Sequence, residues 1–91
     1  MTEYAEVEER LKRIARLIGR VVAVDMGVER NGDRLIFVDT DGDPITNDGE
    51  EIIAATPEEI EGKTFLGEFP ARAMRAAMIC KYFELEKART P

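Results

Sequence analysis

The apolar period of this chain first changes near Arg20, and that change sets the order in which helix and strand can begin. Before it, Tyr4, Val7, Leu11, Ile14 and Ile18 recur at alternating steps of three and four residues. Such spacing aligns them along one stripe of a helix, predicted here over residues 2–20. Glu3, Glu6, Glu8 and Glu9 lie near its positive end, and Lys12, Arg13 and Arg16 lie toward its negative end, which suits the helix dipole. Gly19 is the expected C-terminal breaker. The same alternation describes a coiled-coil seam, so the stripe has two destinations: the domain's own sheet, or a second copy of the chain. Tyr4, Val7, Leu11, Ile14 and Ile18 are therefore the candidate contacts for self-association.

Beyond Arg20 the run "VVAVDMGVERNGDRLIFVD" places two β-rich segments around Asn31-Gly32. An Asn-Gly pair supplies the positive backbone dihedrals of a type I′ hairpin. A loop at those two residues pairs Arg30 with Asp33, Val28 with Leu35 and Met26 with Phe37. Val24, Met26, Val28, Leu35 and Phe37 then form an inner face, with Ile36 and Val38 on the other side. Ile45 and Thr46 begin a third strand, Asn47-Asp48-Gly49 turns the chain, and "EEIIAA" supplies a fourth. Thr56-Pro57-Glu58-Glu59 has the form of a capping box with proline in the first helical position, and Gly62 ends that short helix. The segment "KTFLGEF" reads as loop or extended chain, with Phe65, Leu66 and Phe69 packing inward. A longer helix is expected over residues 70–87, with Met74, Met78, Cys80, Phe83 and Leu85 broadening its apolar surface. This order predicts one α+β domain over residues 1–91. A small antiparallel sheet of three or four strands is covered by N- and C-terminal helices, with a short helix between them. Residues 88–91 are expected to fray.

Composition narrows the chemistry. The 91 residues include no histidine and a single cysteine, Cys80. An imidazole-based triad, a histidine metal site and an intramolecular disulfide are thereby excluded. No P-loop, dinucleotide fingerprint or familiar nucleophile motif occurs, so a noncatalytic protein without a cofactor is expected. Cys80 reads as a small core residue. With neither a secretory leader nor an apolar run of membrane-spanning length, cytoplasmic residence without a membrane partner is expected.

The net charge of -6 is unevenly spread: residues 39–61 hold nine acids and no base, whereas residues 62–91 hold six bases and three acids. The acidic centre disfavours direct contact with a nucleic-acid backbone. Within it, "DTDGDP" has spaced carboxylates. With Asp39 as the first position of a calcium loop, Asp41, Asp43 and Glu50 fall at the third, fifth and twelfth. Pro44, however, occupies the place of the required glycine, and the flanks read as strand. A hairpin turn is the leading expectation. The alternative is a Ca²⁺ or Mg²⁺ site built from Asp39, Asp41, Asp43 and Glu50.

The leading functional expectation is a small acidic protein-interaction or regulatory module that self-associates through surface on its first and last helices. Asp48, Glu50, Glu51, Glu58 and Glu59 would face a protein partner. Besides the cation site, the acidic centre leaves one further alternative: a nucleic-acid mimic that occupies the basic groove of a DNA-binding protein and inhibits it.

Overall fold

The N-terminal stripe turns inward. In a computed structural model that describes residues 2–62 and 68–89, α1 spans Thr2–Val22, and its Val7, Leu11 and Ala15 are buried. Tyr4, Ile14 and Ile18 pack against the same core at its edge. Gly19 is not the breaker. The helix runs one turn-fragment further and ends at Ala23, which takes the left-handed conformation at φ +64°, while the Val24 N–H donates to the Gly19 carbonyl at 2.9 Å. That is the long hydrogen bond of a Schellman cap. Gly19 serves instead to admit the returning chain, because a Cβ there would lie 2.3 Å from the Val24 carbonyl oxygen.

The predicted hairpin forms, two residues out of the expected register. β1 (Gly27–Asn31) and β2 (Arg34–Val38) pair Arg30 with Leu35, Val28 with Phe37 and Asn31 with Arg34. The loop is thus Gly32-Asp33 rather than Asn31-Gly32. Gly32 has φ +68° and Asp33 is not left-handed, the sign pattern of a type II′ turn, which needs glycine only at its first central position. An even-numbered slip keeps every side chain on its expected face, and Val24, Met26, Val28, Leu35 and Phe37 are all buried together. Ile36 and Val38, on the opposite face, are buried too.

The expected third and fourth strands are split. β3 (Thr46–Asn47) and β4 (Glu50–Glu51) form their own two-stranded hairpin, and β5 (Ile53–Ala55) joins the main sheet in the order β1-β2-β5. Asp48 and Gly49 both have positive φ, +55° and +82°. The type I′ geometry therefore occurs at Asp-Gly here, where both central residues must be left-handed. All pairings are antiparallel.

α2 (Pro57–Gly62) starts on the predicted capping box: the Glu59 N–H donates to Thr56 Oγ1 at 3.2 Å, and the Thr56 N–H donates to Glu59 Oε1 at 2.9 Å. Phe65 and Leu66 lie outside the described residues. α3 (Glu68–Arg89) is longer than expected at both ends: it takes in Phe69 at the start, and Arg89, in the segment expected to fray, closes its last turn. α1 and α3 pack against each other, and α3 also touches β5 and β3. The completely buried Ala15, Ala73, Ala76 and Ala77 leave little bulk between neighbouring backbones. The result is a small α+β domain in which N- and C-terminal helices enclose the antiparallel strands.

Candidate interaction surface

α3 has more apolar surface than its own domain covers. At 100° per residue, Phe69, Ala73, Ala76, Ala77 and Cys80 share one face, and all five are buried. A second set at steps of three or four residues, Ala71, Met74, Met78, Tyr82 and Leu85, falls on the opposite face. Met78 is 60% exposed, Tyr82 58% and Leu85 56%. No residue from Lys81 to Arg89 is buried. The last part of the helix borders the Asp39–Thr46 turn, with Phe83, Glu84, Glu86 and Lys87 lining the crevice between them, yet it leaves Tyr82, Phe83 and Leu85 more than half exposed. Tyr82 and Phe83 meet edge to face, with ring centres 5.7 Å apart, a favoured aromatic geometry. Beside the stripe, Met74, Met78, Tyr82 and Phe83 line a mainly apolar groove of about 650 Å³ whose other wall includes Thr46 and Asp48.

The α1 residues expected to make partner contacts are otherwise engaged. Val7 and Leu11 are 2% and 1% exposed and face the domain's own core. Ile14 and Ile18 border that core. The Tyr4 hydroxyl donates to the Arg34 carbonyl at 3.2 Å, and the Arg30 guanidinium lies 4.1 Å from the Tyr4 ring centre. Arg30 is also held by Glu8 at 3.1 Å, and Glu8 is paired with Lys12 along the helix. Among the described residues of α1, the exposed large apolar side chains are Leu17 and Val21.

The acids expected to face a partner divide in two. Asp48, Glu50 and Glu58 are exposed. Glu51 instead binds Asn31 and accepts from Arg34 at 3.1 Å, joining the small hairpin to the main sheet. Glu59 completes the α2 cap and accepts from Arg72 Nη1 at 2.7 Å. Burial opposes its charge, but the hydrogen bonds from Arg72 and the Thr56 amide outweigh that and hold its carboxyl below the usual range. Both carboxylates therefore act inside the fold.

The Asp39–Asp43 segment is a hairpin turn. The Gly42 N–H donates to the Asp39 carbonyl at 3.1 Å, the Asp39 N–H donates to the Asp43 carbonyl at 2.9 Å, and Val38 bridges Pro44 beyond them. Gly42 has φ +83°, so the loop is three residues closed by a left-handed glycine. Asp39 Oδ1 accepts from the N–H groups of Asp41 and Asp43 at 2.9 and 3.0 Å. One oxygen from each of Asp39, Asp41 and Asp43 lies within 4.8 Å of the others. The carboxylates do converge, but Glu50 is not among them and belongs to β4.

Cys80 is a buried core residue. Desolvation, with the nearby Glu84 carboxylate, pushes its thiol pKa up and so reduces the thiolate fraction. Among the described residues no helix is long and apolar enough to cross a membrane. No protein-family model, curated protein or solved structure matches the chain.

The sequence offers the last helix as well as the first for self-association, but it does not single out the outward stripe, because Met74, Met78 and Leu85 read there as one broad apolar arc. The usable signal was the presence of two complete stripes on one helix. A domain of this size has only one core to receive them.

Proposed function

We propose that this chain is a noncatalytic protein-interaction module, acting by stoichiometric association through the outward face of α3. The observation that supports this reading is the exposed Met78, Tyr82 and Leu85, continued by the half-buried Met74, on a helix whose opposite face is already buried. Contiguous exposed apolar patches on small domains commonly mark interaction sites, and methionines with aromatics adapt well to a docking partner. Self-association is the form of association available to the chain alone. Asp48 lines the groove beside this face, and with the exposed Glu50 and Glu58 it adds a field that orients a basic partner. Tyr82→Glu tests the reading: it should abolish concentration-dependent association in sedimentation and capture of a host protein, with the far-UV circular dichroism spectrum unchanged. Association undiminished by that substitution contradicts it.

The convergence of Asp39, Asp41 and Asp43 favours one second reading, binding of a hard divalent cation at the turn. Calorimetry with Ca²⁺ and with Mg²⁺ should give saturable heat that disappears in a D39N/D41N/D43N variant. Linear dilution heats with both ions would dismiss that reading.

A further inference from the structure

We draw no further inference here: the strongest candidate, the crevice of about 500 Å³ between the Asp39–Thr46 turn and the end of α3, lined by Asp39, Asp41, Glu84 and Glu86 together with Cys80 and Phe83, rests on a cluster of acidic side chains, and no second observation in the structure points to a ligand for them.

Discussion

Replacing Gly19 by alanine should destabilise the domain even though the residue lies inside a helix. In an exposed helix interior the same change stabilises by about 1 kcal/mol, because glycine loses more backbone freedom on folding. Here the added Cβ meets the Val24 carbonyl oxygen at 2.3 Å, below the 3.0 Å that real Cβ atoms respect, so something must move by about 0.7 Å. The obstacle is backbone, and it belongs to the residue whose N–H donates to Gly19 at 2.9 Å. Relieving the clash therefore strains the bond that ends α1 and displaces Val24, which is buried beside Met26. A lost buried hydrogen bond with local repacking costs about 2–4 kcal/mol. After the gain in helix propensity, a net loss of about 1–3 kcal/mol remains. The reciprocal change, Ala23→Gly, relieves a left-handed non-glycine residue at φ +64°. It should stabilise by about 0.5–1 kcal/mol after allowing for the greater freedom of glycine in the unfolded chain. Urea denaturation followed by circular dichroism, with the slope of the transition unchanged, measures both. A Gly19→Ala protein as stable as the parent would refute the close-approach argument.

Thr56→Ala removes half of the α2 capping box and should cost about 1 kcal/mol in the same assay. Because the Glu59 carboxyl is held below its ordinary pKa of 4.5, its contribution is complete above that value and is lost as pH falls through the depressed one. The stability of Glu59→Gln should accordingly vary less with pH on the acid side than that of the parent, and an identical profile would remove the Arg72–Glu59 pair from the account. Asp39→Ala deletes an acceptor for two backbone N–H groups and should cost about 1 kcal/mol, whereas Asp39→Asn, which keeps a carbonyl oxygen, should cost less. The Cys80 thiol, buried and raised in pKa, should react with a thiol reagent far more slowly in native protein than in urea; equal rates would place it at the surface.

The elements that depend on local rules were readable in the sequence. Thr56 and Glu59 formed their reciprocal cap because both partners lie within three residues, and the α1 stripe located the core face because its period is intrinsic to a helix. Hairpin register was harder. Asn31-Gly32 and Gly32-Asp33 are both acceptable two-residue loops that keep the same side chains inward, so the local sequence does not choose between them; the observed register pairs Val28 with Phe37. Gly19 was misread because a glycine near a helix end ordinarily takes the left-handed position, whereas here the constraint is a tertiary contact with Val24. At the candidate surface, Glu51 and Glu59 looked free because their partners, Arg34 and Arg72, lie 17 and 13 residues away in sequence. The last helix was legible as a surface for association, but its outward stripe was not: which of two apolar stripes is surplus depends on where the helix meets the rest of the domain.

The α3 surface is tested most directly by sedimentation equilibrium of the parent chain and Tyr82→Glu over the same concentrations. The account predicts reversible self-association for the parent and a monomer throughout for the folded variant. Equal molecular masses for the two proteins across the range, both dimeric, would contradict it.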